Sequence, residues 1–201
     1  GYPIALISNN GVLFNDSANK GAHFIQLCNM NKTPILFLQN ITGFMVGKDY
    51  ERNGIIKDGA KMINAVSNSE VPMFTIMMAA SYGAGNYAMC GRAYNPRFIF
   101  SYPNSMIAVM GAEQLAGVMQ IVAKEGALKS GKPWDENQAE QMKAFMKLEI
   151  EKQSNAFFAT GQLWDDGIID PRDTRHVMGL ILALTYLQNV KGTNAWGVYR
   201  M

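Results

Sequence analysis

The sequence has few of the residues from which metal, disulfide and acid-base sites are usually built. Only two cysteines and two histidines occur among its 201 residues, and 17% of the residues are charged. Cys28 and Cys90 stand far apart and outside any CxxC pattern, which argues against a disulfide scaffold or a zinc site. We therefore expect two buried, reduced thiols and no metal in this domain.

Charge and hydropathy argue against two further classes of protein. The 18 basic and 16 acidic residues are scattered and leave a net charge of +2, with no basic run that would follow a phosphate backbone. No apolar run reaches the roughly 18 residues that indicate a transmembrane helix. The sequence predicts neither a nucleic-acid partner nor a membrane association.

The sequence does contain enough apolar material for one full core. Hydrophobic residues make up 48% of the chain. A chain of this length buries roughly 70% of its unfolded surface. One domain over residues 1–201 is the prediction. Residue 1 begins directly on a strand-like segment, GYPIALIS, so we expect a piece excised from a longer chain.

Short apolar segments alternate with segments of helical periodicity along the chain. Strands are predicted at residues 4–8, 35–40, 72–80, 98–102 and 106–110, the last two in a hairpin or a crossover. Helices are predicted at residues 17–31, 53–66, 111–129, 136–153 and 171–187, with a break at 131–134. Runs this apolar suit a sheet covered on both faces. The prediction is an α/β domain with a largely parallel sheet and a helical C-terminal region.

Polar residues at the starts of these helices are candidate caps. Asp16 or Ser17 is expected to cap the first helix, Asn53 the second and Asp170 the last. The segment 41–50, which contains two glycines, is expected to form a functional loop. The inner face of the first helix is expected to carry Phe24, Leu27 and Cys28.

The stretch SYGAGNYAM, residues 81–89, is prominent because glycines replace bulk directly after a buried strand. Gly83 and Gly85 permit backbone geometry or close approaches that a Cβ forbids, so a short helix can begin there. The first amides of a helix lack internal partners and bind anionic oxygen. The backbone of Ala84 and Gly85 is therefore a candidate oxyanion site, and a packed strand-to-helix turn is the alternative.

The same stretch also matches the sequence patterns of two other kinds of site. GAGNYA matches a dinucleotide-binding fingerprint, but no acid stands near the expected ribose position. AASYG resembles a nucleophile elbow at Ser81, followed in hydrolase order by Asp165, Asp170 and His176. His176, however, lies inside the apolar final helix, which favours a histidine at a packed surface over a catalytic base.

Five strings, which occur in order, carry a resemblance to a known family. They are FLQNITGFMVG (37–47), NGIIKDGAKM (53–62), SYGAGNYAMCGRAYNPRF (81–98), IAVMG (107–111) and WDDGIIDPRDTR (164–175). These strings resemble the carboxyltransferase subunit of biotin-dependent acyl-CoA carboxylases, most of all the non-biotin-carrying subunit of the methylcrotonoyl-CoA branch. The resemblance covers essentially the whole chain but only the C-terminal half of that subunit.

The resemblance implies a crotonase-type fold of ββα units wound in a spiral, and it implies a reaction. In that family, carboxybiotin on a partner subunit releases carbon dioxide, and biotin removes a proton from the γ-carbon of an enoyl-CoA. The resulting dienolate then takes up the carbon dioxide. The N-terminal half of the subunit, which holds the acyl-CoA, is expected to be absent here, so the fragment is expected to be inactive alone.

Matching the family motif residue by residue gives candidate site residues. It assigns the ureido oxygen of biotin to the backbone amides of Ala84 and Gly85. Ala88 stands where the family commonly has glycine, which is a small departure. The implied biotin-binding residues are Gly43, Phe44, Tyr82 and Gly83.

The resemblance also implies partners and a compartment. The partners are an acyl-CoA substrate, a biotin carboxylase and biotin carrier subunit, and further copies of the carboxyltransferase subunit, which form a hexamer in the full enzyme. The compartment is the cytoplasm in a bacterium or the mitochondrial matrix in a eukaryote. Three alternatives stay open: geranoyl-CoA or another acyl-CoA as substrate, the hydrolase with Ser81 and His176, and a non-catalytic assembly module.

Overall fold

The structure is a computed structural model that describes residues 1–131 and 133–198. The predicted break at 131–134 includes Lys132, which lies outside the described residues. Within the described residues, six strands form one sheet. The strands are β1 (Ala5–Ser8), β2 (Gly11–Leu13), β3 (Ile35–Phe44), β4 (Met73–Tyr82), β5 (Phe98–Ser101) and β6 (Met106–Ala108).

The long strands β3 and β4 form the centre of the sheet, and each carries two short strands along its outer edge. β1 pairs with the first half of β3 and β2 with the second half, while β5 and β6 divide the edge of β4 in the same way. All of these pairings are parallel. The prediction of a largely parallel sheet is confirmed. A hairpin was one of the two connections predicted for β5 and β6. That alternative is wrong, because both strands run in the same direction along the edge of β4.

The described residues also form eight α-helices. Their bounds are α1 (Asn15–Met30), α2 (Lys48–Arg52), α3 (Ile55–Asn68), α4 (Gly83–Ala88), α5 (Ala112–Lys129), α6 (Glu136–Ser154), α7 (Ala156–Gly161) and α8 (Thr174–Thr185). The segment 41–50, expected to be a loop, instead contains the end of β3 and the beginning of α2.

One face of the sheet is covered by α1 and α3, which lie close together. A Cβ at Gly21 of α1 would stand 2.9 Å from Cε of Met62 in α3. Of the three residues expected on the inner face of α1, Cys28 is buried, whereas Phe24 and Leu27 are 38% and 40% exposed. Alanine takes two of the inner positions, where a small side chain lets α1 approach its neighbours closely. The buried face of α1 consists of Ala18, Ala22, Ile25, Cys28 and Asn29.

Besides the hydrophobic cluster that includes Ile25 of α1 and Met62 of α3, a second hydrophobic cluster forms around α8. Met178, Ile181 and Leu182 of α8 pack with buried residues of β3 and β4. Leu180 on the same helix is 61% exposed. The expected burial of the final helix is thus right for one side only, and a subunit contact on the other side stays an expectation.

The first two predicted helix caps are wrong. Phe14 and Gly54 occupy the positions before α1 and α3, and neither makes a capping side-chain bond. Asn15, at the start of α1, instead donates to the carbonyl oxygen of Asn53 at 3.1 Å and to Asp58 at 3.0 Å. The polar residues near these helix starts therefore join α1 to α3.

The predicted cap at Asp170 is confirmed. Its carboxylate accepts a hydrogen bond from the backbone amide of Arg172 at 2.8 Å. The bond closes a short 3-10 turn, Pro171–Asp173, which leads directly into α8. Hydrogen bonds from Arg172 hold the pKa of the Asp170 carboxyl at about 2, below its usual range.

Helices α5 and α6 form an antiparallel arm beyond the sheet. Glu113 near the start of α5 pairs with Lys143 and Lys147 of α6, each at 3.0 Å. Several large apolar side chains of the arm are exposed, including Ile121 and Phe145. Across the described parts of the chain, no helix has the length and apolar character needed to cross a membrane.

Candidate active site

The candidate site begins at an irregularity between β3 and β4. Gln39 pairs with Met77 and Ile41 pairs with Ser81, so β3 advances by two residues while β4 advances by four. The side chain of Asn40 fills the gap, because its Oδ1 accepts a hydrogen bond from the amide of Ala80 at 3.2 Å. Irregularities of this kind redirect a strand and are frequent beside active sites. Here the irregularity precedes the point where β4 leaves the sheet.

Two glycines allow α4 to begin directly at the end of β4. Gly83 has a φ of +52°, and a Cβ there would lie 2.8 Å from the carbonyl oxygen of Val109. A Cβ at Gly85 would lie 2.5 Å from Cγ1 of Ile41 and 3.2 Å from Cα of Gly43. Only glycine fits such contacts without movement of the neighbouring backbone. The first turn of α4 is therefore fixed against β3 on one side and against Val109 on the other.

A cavity of about 610 Å³ opens beside the first turn of α4. Gly83, Ala84 and Val109 contribute to its wall, and residues of α6 and α7 contribute further wall. Two aromatic rings, Phe158 and Trp164, also line it and meet edge to face, with their centroids 5.8 Å apart. The cavity thus brings the glycine turn together with residues more than 60 positions later in the sequence.

An arginine attaches the Trp164 segment to the loop after α4. The Arg92 guanidinium donates to the carbonyl oxygen of Trp164 at 3.1 Å and to the carboxylate of Asp166 at 2.9 Å. The Asp166 carboxylate also accepts from the amide of Ile99 in β5 at 2.8 Å. These bonds connect one wall of the cavity to the sheet.

A second cavity, of about 370 Å³ and nearly all apolar, lies beside Ala84. Phe44 lines it and lies across Gly59 of α3, where a Cβ would be 3.0 Å from the ring. Ala84 borders both cavities. The structure therefore places Phe44 and Ala84, two of the expected site residues, on one apolar surface.

The remaining expected site residues lie around the same turn. Gly43 has a φ of +140° near the end of β3 and approaches Gly85. Tyr82 is half-buried and pairs with Ala108 of β6, and its ring lies beside Gly111. The Tyr82 backbone adjoins the site, while its ring points toward the beginning of α5.

The hydroxyl of Ser81 is held in a hydrogen-bond network inside the protein. Ser81 is fully buried, donates to Oε1 of Gln39 at 2.6 Å and accepts from Nδ2 of Asn86 at 2.7 Å. His176 is exposed on α8, the helix of the other hydrophobic cluster. Asp165 is engaged by Ser101 and Thr160. The structure does not assemble the hydrolase triad, so that alternative is wrong.

The fingerprint GAGNYA forms the short helix α4, only six residues long. Gly85 packs against Ile41 and Gly83 against Val109, so both glycines serve contacts within the domain. The dinucleotide interpretation gains no support from these contacts. Gln39 and Asn86, which bond to Ser81, were missed by sequence analysis, although a polar residue within the apolar run ILFLQN was a signal.

Both cysteines are free and buried, as predicted. Burial raises the pKa of the Cys28 thiol to about 11 and that of Cys90 to about 12. At neutral pH both are therefore uncharged and poor nucleophiles. In the described residues, no group of three or more histidine, cysteine, aspartate or glutamate side chains is arranged to hold a metal ion.

In the parallel sheet, each long central strand pairs with two short strands, and a glycine turn at the end of β4 leads into a short helix. This arrangement defines a crotonase-like carboxyltransferase fold. The chain belongs to the carboxyl transferase domain family, whose model matches residues 1–196. It is 51% identical over 201 residues to the probable mitochondrial methylcrotonoyl-CoA carboxylase beta chain of Drosophila melanogaster, covering 100% of this chain and 35% of that one.

Solved structures show the same relationship. The beta subunit of geranyl-CoA carboxylase from P. aeruginosa matches with a TM-score of 0.83 and 47% identity over 98% of this chain and 37% of its own. The transcarboxylase 12S structure, described as a hexamer with hydrolysed methylmalonyl-coenzyme A bound, matches with a TM-score of 0.82 and 28% identity, covering 98% and 37%. The chain thus spans only about a third of the length of the curated relatives it matches.

Proposed function

We propose that this chain is the C-terminal domain of the carboxyltransferase subunit of a biotin-dependent acyl-CoA carboxylase. In the complete enzyme it would help to transfer a carboxyl group from carboxybiotin to the γ-carbon of an enoyl-CoA, with 3-methylcrotonoyl-CoA as the substrate. The observation that carries the proposal is the turn at Gly83 and Gly85, which fixes the start of α4 at the point where Ala84 borders two cavities. Identity to a methylcrotonoyl-CoA carboxylase beta chain supports the choice of substrate.

The proposed chemical role of the domain is to stabilise negative charge on an oxygen. The backbone amides of Ala84 and Gly85 lie in the first turn of α4, where an i−4 carbonyl is unavailable to them within the helix. One donor of this kind contributes about 3 kcal/mol to stabilisation of a transition state. Because Gly83 and Gly85 fix the turn by contact, the donors are positioned before the reaction begins.

The walls of the site suit an uncharged ring system. Phe44 and Ala84 border the nearly apolar second cavity, and the glycine turn adds backbone donors next to it. A bicyclic urea with an aliphatic chain has the same mixture of apolar surface and a polar oxygen. When bound, carboxybiotin supplies the carboxyl group and the base, while the protein residues proposed here bind and orient it.

The ionisable groups around the site are few. Among described residues that line the two cavities, the ionisable ones are Tyr87 and Glu51. No histidine or cysteine lines either cavity in the described parts of the chain. This scarcity supports a mechanism in which backbone donors do the protein's part and no side chain of this domain exchanges a proton with substrate.

The partners follow from the names of the relatives and are proposals for this chain. A related transcarboxylase subunit is described as a hexamer with methylmalonyl-coenzyme A bound. We infer that this domain works in a homo-oligomer with a biotin carrier subunit and an acyl-CoA. Relatives from eukaryotes are named mitochondrial, and other relatives are bacterial, so the compartment is the mitochondrial matrix or the bacterial cytoplasm according to source.

The test is carboxylation by the full-length subunit, assembled with its biotin carrier, of a panel of acyl-CoA thioesters. The proposal predicts the highest kcat/KM with 3-methylcrotonoyl-CoA. Geranoyl-CoA is the second candidate, favoured by the 47% identity to a geranyl-CoA carboxylase subunit. The proposed substrate is wrong if a saturated acyl-CoA is preferred, and the proposed reaction is wrong if no thioester in the panel is carboxylated.

A further inference from the structure

Gln39 is a buried polar residue that bonds to the chain on both sides of α4. Its side chain is fully buried within β3. Oε1 accepts from the hydroxyl of Ser81 at 2.6 Å, and Nε2 donates to the carbonyl oxygen of Met89 at 2.6 Å. Ser81 precedes the first residue of α4 by two positions, and Met89 directly follows its last residue. One side chain of the central sheet therefore holds both ends of the helix.

The network continues into the helix itself. Asn86 of α4 donates from Nδ2 to the Ser81 hydroxyl at 2.7 Å. Because that hydroxyl accepts from Asn86, its own proton is directed to Gln39, and the donors follow one direction from Asn86 to the carbonyl of Met89. Asn86 also packs against Gly91, where a Cβ would stand 1.8 Å from its Oδ1. Hydrogen bonds arranged in such chains strengthen one another in a buried setting.

We propose that Gln39 is a positioning residue for carboxyl transfer: it fixes α4, and with it the amides of Ala84 and Gly85, in the orientation that the oxyanion requires. The inference rests on the proposed function. A displacement of about 1 Å in a catalytic group can lower a rate by about 100-fold. A small movement of α4 would therefore slow carboxyl transfer, and the two bonds from Gln39 restrict such movement. Glycine contacts set how near α4 lies to β3, and Gln39 limits its movement at both ends.

A second buried side chain offers a matched control. Thr75 of β4 is fully buried, and its hydroxyl donates to the carbonyl oxygen of Cys90 at 2.7 Å. That bond resembles the one from Gln39 to Met89 in length, burial and type of acceptor. Thr75, however, has no bond to Ser81 and reaches only the segment after α4. Loss of the Thr75 hydroxyl therefore removes a comparable bond while the hold on the start of α4 remains.

The experiment compares Gln39→Met and Thr75→Val in the full-length subunit assembled with its biotin carrier. Methionine keeps the length of the side chain and removes both hydrogen bonds. We expect Gln39→Met to lower kcat by about 10- to 100-fold, with KM for the acyl-CoA changed by less than about twofold. Amide hydrogen exchange in residues 83–89 should be at least about fivefold faster. For Thr75→Val, both kcat and that exchange rate should stay within about threefold of the unmodified enzyme.

Three results would overturn the inference. The first is an unchanged kcat in folded Gln39→Met, and the second is unchanged exchange in residues 83–89. The third is an equal loss of kcat in Thr75→Val, which would mean that any bond lost near α4 has the same effect. If the unmodified enzyme carboxylates no thioester, the proposed function fails by itself, and the exchange comparison still shows whether Gln39 holds α4.

Discussion

Gly85 in α4 lies so close to Ile41 in β3 that a Cβ at residue 85 would stand 2.5 Å from Ile41 Cγ1. We therefore predict that Gly85→Val in the full-length subunit displaces α4 and lowers carboxyl transfer by at least about 100-fold, the loss typical of one oxyanion donor. The measurement is kcat with a carboxylated biotin carrier and 3-methylcrotonoyl-CoA, accompanied by circular dichroism to verify folding.

A control for this substitution is available in α5. Gly126 is exposed in that helix, and a Cβ at this position would meet no neighbouring residue within 4 Å. Gly126→Val should leave kcat within about twofold, because surface changes away from special features have small effects. A folded Gly85→Val enzyme with an unchanged rate would remove Gly85 from the site.

A second prediction concerns the side chains that other mechanisms would use. Ser81 is bonded inside the protein, His176 is exposed on α8, and the Cys90 thiol has its pKa raised to about 12 by burial. We expect His23→Gln, His176→Gln and Cys90→Ala each to keep carboxyl transfer within roughly tenfold, less than the loss of a general base causes. Ser81→Ala also removes the bond to Gln39, and it should lose no more than the 10- to 100-fold expected for Gln39→Met. A loss of about a thousandfold at Ser81 or His176, with folding intact, would indicate nucleophilic catalysis instead.

The third prediction follows from the two thiols. Burial raises the pKa of Cys28 to about 11 and that of Cys90 to about 12, so both thiols stay protonated in the folded protein at neutral pH. The ordinary pKa of a cysteine thiol is about 8.5. Because both folded pKa values lie above it, the stability that the protonated thiols contribute is fully present below about pH 8.5 and is lost as the pH rises through the folded pKa values. A maleimide should label neither thiol of the folded domain, but both in concentrated guanidinium chloride. Rapid labelling of the folded domain at neutral pH would contradict this.

Much of the sheet could be predicted because its strands are short apolar runs. β4 is an example, since its run of buried residues begins at Met73 within the predicted segment 72–80. β2 was missed, because three residues beginning at Gly11 carry too little periodicity. The predicted end of β3 at residue 40 was too early because the segment 41–50, with its two glycines, was expected to form a loop, whereas β3 continues to Phe44.

The glycine turn of the site was predictable for a local reason. Gly83 and Gly85 stand directly after an apolar strand, and the structure gives each a contact that excludes a Cβ. The opposite wall was not predictable in this way. Phe158 and Trp164 reach the cavity only through the packing of α6 and α7, and nothing near them in sequence marks the contact. The inner face of α1 was misjudged at Phe24 and Leu27, because large residues were assumed to be buried, whereas alanines share that face with Ile25 and Cys28.

If a backbone amide of α4 stabilises the oxyanion, exchanging that amide for a group that cannot donate should slow carboxyl transfer. Incorporation of glycolic acid at Gly85 in the full-length subunit exchanges the N–H donor for an ester oxygen and leaves the side chain unchanged. A matched ester at Glu113, in the first turn of α5, is the control. We expect a kcat lower by about 100-fold or more for the ester at Gly85, and a kcat near that of the unmodified enzyme for the ester at Glu113. Equal rates for the two folded ester variants would contradict this expectation.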